Sequence, residues 1–206
     1  MHAATPHRAG GRLPYRCTYL LMLSRRQTSE ALAQLSRRKP TQIDLLNVIA
    51  EIDGESDRAV ALIRSALVEA ALERALLNRM RPLNSADRRR LFGLDAPLSS
   101  FAGKTAIAYA IRLIGSSTRD DLDCVREIRN AFAHTIIYID FSTKEVADHC
   151  GHLQLPGRFP PGWGPHDLPW PPPATEPRRL FLATANLLWL YLTDAASDTK
   201  TLPDEA

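Results

Sequence analysis

Apolar and polar positions alternate along this chain with the period of amphipathic helices. The longest periodic stretch runs from Asp57 to Met80, where apolar side chains recur every three or four residues and most charged side chains fall outside that face. Alanines at positions 59, 61, 66, 70, 71 and 75 favour helix and allow close packing. This stretch predicts one long helix, which Pro82 ends.

Shorter segments share this periodicity and predict further helices over residues 43–52, 85–91, 98–114, 119–135, 143–152 and 178–195. Gly115 is expected to cap the end of the segment that begins at Leu98. Thr118 and Asp121 have the spacing of a capping box and predict the next helix start. Asp120, Asp121 and Asp123 would then occupy its first turn, where the helix dipole favours anions.

Residues 136–141 are β-branched and aromatic and are expected to be extended, but one short strand cannot form a sheet. The predicted fold is therefore all-α, a compact bundle of about five to seven helices. We place this domain at residues 41–196. It includes a proline-rich loop at 156–177, in which nine of 22 residues are proline. Residues 197–206 are expected to fray.

Positive charge is concentrated at the N-terminus. Residues 1–40 hold eight basic residues and one acidic residue, whereas the remainder holds 18 basic and 22 acidic residues. We predict a disordered basic arm over residues 1–40 that attracts nucleic acid without reading its sequence. The mildly acidic body shows no basic stripe for reading DNA.

The three cysteines, Cys17, Cys124 and Cys150, are odd in number and widely spaced, so they indicate reduced thiols and a cytoplasmic protein. The apolar run at 180–192 is too short to span a bilayer, and no membrane contact is expected. His149, Cys150 and His152 suggest a metal site, but zinc needs further ligands. A helix end with a buried thiol is the favoured interpretation, and no cofactor is expected.

Two segments carry the most distinctive residues: 97–104, with the sequence PLSSFAGK, and 128–134, with the sequence IRNAFAH. Together with the apolar helix ending in Gly115 and the acidic turn at 120–123, they resemble the mannitol operon repressor family. The resemblance covers about residues 45–155. It implies an all-helical fold and a bacterial role in regulating sugar uptake, and it brings no helix-turn-helix motif.

The spacing of Arg129 and His134, with Asn130 after the arginine, is also similar to the motif of HEPN-domain ribonucleases. That resemblance implies metal-independent RNA cleavage, with His134 as the base and Arg129 holding the phosphate. On a regular helix, however, positions five apart differ by roughly 140°, so these two side chains share a face only if the helix loosens near Ala133.

Three interpretations of this segment stay open: a structural helix end, a surface that contacts a ligand or nucleic acid, and a catalytic site. Arg126, Asn130 and His134 lie four apart and share one helix face, which a twofold homodimer would bring together. Further candidate phosphate contacts are Lys104, Arg88, Arg89 and Arg90. For Lys104 the alternative is a stem lying on the surface, and for the arginines it is a solvated face.

These observations predict a helical transcriptional regulator that acts through protein contacts or weak nucleic-acid contacts. The alternative is a HEPN-like endoribonuclease that uses His134 and Arg129.

Overall fold

The computed structural model describes residues 56–159, 171–173 and 175–194, which form six α-helices and one 3₁₀ turn. The helices are α1 (Asp57–Arg79), α2 (Ser85–Phe92), α3 (Phe101–Ala110), α4 (Ser116–His134), α5 (Lys144–Cys150) and α6 (Pro177–Asp194), and the 3₁₀ turn is Leu155–Arg158. No strand occurs in these ranges, so the all-α prediction is confirmed. None of these helices is both long and apolar enough to cross a membrane.

The chain divides into two units, residues 1–49 and 50–206, and every described residue belongs to the second. The predicted arm at 1–40, the helix predicted at 43–52, most of the proline-rich loop and the tail at 197–206 lie outside the described residues. The predictions for these parts therefore stay predictions.

Helix α1 is the centre of the bundle, and it packs most extensively on α6 and also contacts α3 and α4. Asp57 and Arg64 of α1 meet Arg178 and Asn186 of α6 respectively, so the two helices run in the same direction. The buried alanines of α1 include Ala61, which lets neighbouring backbones approach closely.

An aromatic cluster joins α4 to α6. The ring of Phe141 lies 5.1 Å from the ring of Phe132 and 5.1 Å from the ring of Phe181, and all three are buried. Tilted pairs at this separation stabilise a core beyond the area they bury. Four apolar side chains of α4 face the core and are buried: Leu122, Val125, Ile128 and Phe132.

Helix α3 is shorter at both ends than the predicted 98–114. It begins after Ser100, whose hydroxyl accepts the Gly103 amide at 3.1 Å. It ends in a Schellman motif: the Leu113 amide donates to the Ala108 carbonyl at 2.9 Å, with Arg112 at φ 59°. The motif ends the helix early because the side chain of Leu113 is drawn into the core.

Gly115 was therefore wrongly predicted as the cap of α3, and it precedes α4 instead. Helix α4 begins at Ser116, so Asp121 and its acidic neighbours lie beyond the first turn, contrary to the prediction. Thr118 is buried inside the helix and does not cap it. The buried carboxylate of Asp121 instead accepts the Gln154 amide at 2.8 Å, which ties the 3₁₀ turn to α4.

Candidate functional site

The C-terminal half of α4 carries the residues predicted as a contact surface. The helix stays regular to its end, because the Thr135 amide still donates to the Ala131 carbonyl at 3.1 Å. No loosening therefore brings Arg129 and His134 onto one face, and roughly 140° of helix rotation separates them. His134 is exposed, whereas Arg126, Arg129 and Asn130 are half-buried.

The arginines of this half-helix are engaged locally. Arg129 donates to the side-chain oxygen of Asn130 at 3.0 Å. Arg126 lies 3.3 Å from Asp123 and 2.8 Å from Glu127, so two neighbouring acids offset its charge. Within the described ranges, the His134 ring makes no hydrogen bond or ion pair, which leaves an exposed imidazole at the helix end.

Arg58 caps the C-terminal end of α4, and the sequence did not predict this role. Its guanidinium donates to the Phe132 carbonyl in the last turn of α4 and, at 3.3 Å, to the Ile137 carbonyl beyond it. A cation placed there satisfies orphan carbonyls and complements the negative end of the helix dipole. The only sequence signal was its position outside the apolar face of α1.

Directly after α4, three apolar side chains project into solvent. Ile136 is 100 % exposed, Ile137 is 72 % exposed and Tyr138 is 86 % exposed, whereas Ile139 is buried. We call residues 136–138 the apolar tip. Single exposed apolar residues are ordinary, but a contiguous group of large ones usually marks a contact site. The apolar tip continues the surface that begins at His134.

Hydrogen bonds hold the chain beyond the apolar tip in place. The Asp57 carboxylate accepts the Phe141 amide at 2.9 Å and Arg178 at 2.9 Å. Asp140 accepts the Ser142 hydroxyl at 2.6 Å and the Thr143 amide at 2.9 Å, and these bonds, led by that of the Ser142 hydroxyl, lower its pKa. These hydrogen bonds fix the chain on the C-terminal side of the apolar tip and so keep the tip exposed to solvent.

An open depression of about 350 Å³ lies beside this anchor and is lined partly by Asp57, Phe141 and Glu176. Two ion pairs lie in its wall, in which Asp57 meets Arg178 and Glu176 meets Arg179, while Asp140 accepts hydrogen bonds from Ser142 and Thr143. A charged ligand would have to separate these pairs, so the depression is a poor ionic site.

Lys104 lies inside the bundle and does not lie along the surface. Its side chain is 8 % exposed, and its ammonium group lies 2.8 Å from Glu69 and 3.1 Å from Glu73 of α1. These two glutamates form a like-charge i,i+4 pair, which the lysine relieves. The surface-stem alternative is wrong, and a phosphate at Lys104 would have to displace a carboxylate.

The arginines of α2 are exposed, as a solvated or phosphate-binding face requires. Arg88 lies 3.1 Å from Glu73, which joins α2 to the Lys104 network, and Arg90 lies 3.7 Å from Asp87. Arg89 is exposed and makes no ion pair within the described residues. Of the three predicted contacts, Arg89 is therefore the most available to a phosphate.

The histidines near the end of α5 do not converge on a metal site. His149 lies 3.0 Å from Glu127 of α4, and Cys150 is fully buried. Cys124 lies 25 positions from His149 in the sequence, but its thiol donates to the His149 carbonyl at 3.1 Å. Burial raises the pKa of both thiols, Cys124 and Cys150, to about 12. Across the described ranges, no three His, Cys, Asp or Glu side chains are grouped to hold a metal ion.

The sequence PLSSFAGK proves to be a structural segment. Leu98 and Phe101 are buried, Ser100 caps α3, and Lys104 pairs with α1. Gly103 is needed because a Cβ there would lie 2.6 Å from the Pro97 carbonyl oxygen. The segment 97–104 therefore determines how α3 starts and how it packs against α1.

Comparison with protein-family models, curated proteins and solved structures finds no match to this chain. Neither family resemblance receives support from these comparisons, and both stay predictions.

Proposed function

We propose that this chain is a helical regulatory protein of the mannitol operon repressor type, acting in the cytoplasm as a homodimer. It acts on transcription through macromolecular contacts and not through a chemical reaction. The observation that carries this proposal is the continuous surface formed by exposed His134 and the apolar tip at 136–138. Covering such apolar side chains is a favourable source of binding energy, and it suits a protein partner.

Nucleic acid is the second contact in this proposal, and the basic arm at 1–40 supplies it. Its charges would release counterions from a phosphate backbone, which makes binding sensitive to salt and indifferent to sequence. Arg88, Arg89 and Arg90 of α2 are exposed and would extend the phosphate contacts. The rest of the chain is mildly acidic and shows no basic stripe, so the proposed attraction through the arm is weak and does not depend on base sequence.

Salt dependence of DNA binding by the full chain tests this contact. Arg25, Arg26, Arg37 and Arg38 are changed together to Gln, and a single-charge control changes the exposed Arg112 to Gln. Each lost phosphate contact should reduce the slope of log affinity against log salt by about 1, so the fourfold variant should lose about 3 to 4. The Arg112 variant should keep the slope of the wild type. An unchanged slope in the fourfold variant would contradict the role of the arm.

The HEPN-like endoribonuclease remains a second candidate because His134 is an exposed, unpaired imidazole in the described part of the chain. Such a group can take a proton from an attacking hydroxyl. The orientation of Arg129 towards Asn130 disfavours a joint site within one subunit. Incubation with unstructured RNA and EDTA separates the proposals. Cleavage that His134→Ala and Arg129→Ala both abolish would replace the regulator with the enzyme.

A further inference from the structure

The acidic character of residues 41–206 conceals a basic patch at the end of α1 and in α2. Residues 79–92 hold five basic residues and one acidic residue, whereas the other residues of 41–206 hold 13 basic and 21 acidic residues. We call the five arginines the basic corner: Arg79, Arg81, Arg88, Arg89 and Arg90. All five are exposed. Charge of one sign on an otherwise acidic surface directs a polyanion to that place.

The connection between α1 and α2 brings these arginines together. Only residues 80–84 separate the two helices, and the side chain of Arg88 lies 3.1 Å from Glu73 of α1. Glu73 precedes Arg79 by roughly 9 Å along the axis of α1, at a rise of about 1.5 Å per residue. α2 therefore stays beside the C-terminal end of α1, and all five arginines extend from this end of the helix pair.

The nearby carboxylates leave most of this charge uncompensated. Glu73 is shared by Arg88 and the buried Lys104, and Asp87 lies 3.7 Å from Arg90. The other three arginines of the corner make no ion pair with any described residue: Arg79, Arg81 and Arg89. A ligand can therefore reach three positive charges here without separating an existing pair, unlike at Lys104.

We propose that the basic corner binds the phosphate backbone of duplex DNA, as a second contact that is separate from the basic arm. This deepens the nucleic-acid contact of the proposed function and rests on it. A guanidinium group holds a phosphate through two parallel hydrogen bonds, and the corner contains arginine and no lysine. One such fork already occupies two oxygens of a phosphate. The arginines therefore exceed what a single phosphate group can use, and they match the consecutive phosphates of a polymer.

The acidic remainder of the chain orients this contact. Exposed carboxylates lie on α4 and α5, at Asp120, Glu127, Glu145 and Asp148. Repulsion at those helices and attraction at the basic corner favour one orientation of the protein on the duplex. Contacts to phosphates fix position without reading bases, so the corner binds DNA of any sequence.

The salt dependence of duplex DNA binding by the full chain tests the corner. The corner variant replaces three arginines with glutamine: Arg79, Arg81 and Arg89. The charge control changes the net charge equally but elsewhere, by replacing with glutamine Arg112, Arg119 and Lys144. The corner variant should lose about 2 to 3 from the slope of log affinity against log salt, whereas the charge control should keep the slope of the wild type. Equal slopes in the two variants would overturn the proposal.

Removing an acid from the corner gives a test that misfolding cannot imitate. Asp87→Asn takes away the carboxylate that lies 3.7 Å from Arg90 and should raise the slope by up to about 1. Asp148→Asn is the matched control, because it removes the partner of the exposed Lys144 away from the corner, and it should leave the slope unchanged. The same slope in both variants would contradict the placement of DNA on this corner.

Lysine in place of the same three arginines separates charge from fold. The lysine variant keeps the positive charges and should keep most of the slope, but it should bind DNA more weakly because an ammonium group cannot form the two-pronged contact. A lysine variant that loses as much slope as the glutamine variant would show that the arginines act through the fold, which would overturn the proposal.

Combining the corner variant with the fourfold arm variant distinguishes failure of this inference from failure of the arm. Independent contacts should give slope losses that add. A loss in the corner variant alone rejects the arm and keeps the corner, whereas a loss in the arm variant alone does the reverse. If the corner variant abolishes binding to phosphatidylserine vesicles but binds DNA as the charge control does, the corner contacts an anionic membrane surface. That outcome would reject the DNA contact.

Discussion

Replacing Lys104 with methionine should destabilise the fold by about 3 kcal/mol. Methionine keeps the length of the aliphatic stem, so the substitution removes the charge and leaves little cavity. The ammonium group is almost fully buried and binds Glu69 at 2.8 Å and Glu73 at 3.1 Å. Removing one partner of a buried ion pair costs roughly 3–5 kcal/mol, because the other charge stays behind without compensation.

The lower end of this range applies here for two structural reasons. The side chains of Glu69 and Glu73 are 23 % and 24 % exposed, so water still hydrates them in part. Arg88 also remains 3.1 Å from Glu73 after the substitution. Glu69 loses the ammonium group that lies 2.8 Å from it, so it carries most of the penalty.

Urea unfolding followed by circular dichroism measures the effect as a shift of the midpoint at constant m. Lys144→Met is the matched control, because Lys144 forms an exposed i,i+4 pair with Asp148 that solvent screens, and its unfolding midpoint should stay close to that of the wild type. Adding Glu69→Gln and Glu73→Gln to Lys104→Met should restore much of the stability, because no buried charge remains. A loss below about 1 kcal/mol for Lys104→Met, or a triple variant no more stable than the single, would refute the reasoning.

Three further substitutions or conditions have expected outcomes. Arg112→Gly should raise stability by about 0.5–1 kcal/mol in urea unfolding, because glycine adopts the left-handed φ of 59° without strain; an unchanged or lower midpoint would count against that strain. Gly103→Ala should cost about 1–3 kcal/mol, because its Cβ would meet a backbone carbonyl at 2.6 Å, whereas Gly157→Ala meets no atom within 4 Å and should be neutral. Burial raises the pKa of Cys124 and Cys150 from 9.0 to about 12, so the folded state retains protons that the unfolded state loses. Stability should hold below pH 9 and fall as the pH rises towards 12, and a melting temperature that stays flat over this range, or falls equally in Cys150→Ala, would contradict the assignment.

The helices could be predicted because their apolar periodicity is local information. α1 ends within one residue of its predicted limit because Pro82 interrupts the pattern, and α6 begins within one residue of its predicted start. The ends of α3 and the start of α4 could not be predicted in this way. Arg112 adopts a conformation that usually selects glycine, and only the burial of Leu113 in the finished core explains why.

The sequence predicted where the candidate site lies along the chain, but it did not predict which distant residues contact it. The helix periodicity placed His134 in the last turn of its helix, as observed, whereas residues 136–141, which were expected to be extended, are non-helical with a bend at Ile137. The contacts of Arg58 join residues more than seventy positions apart. No periodicity within α1 reports on them, because such contacts are determined only when α1 and α4 pack together.

The two distinctive segments also differ in what they can say about function. In PLSSFAGK, the cap, the close approach at Gly103 and the buried charge of Lys104 all serve the start of α3. A segment of this kind reports on the local fold, and function does not follow from fold alone. Residues 134–140 differ from PLSSFAGK in this respect, because the exposed apolar residues there contribute little to the core of this chain. Residues that the fold does not need, held out by Arg58 and Asp140, are better explained by a contact with another molecule, so the function of this protein should be sought there.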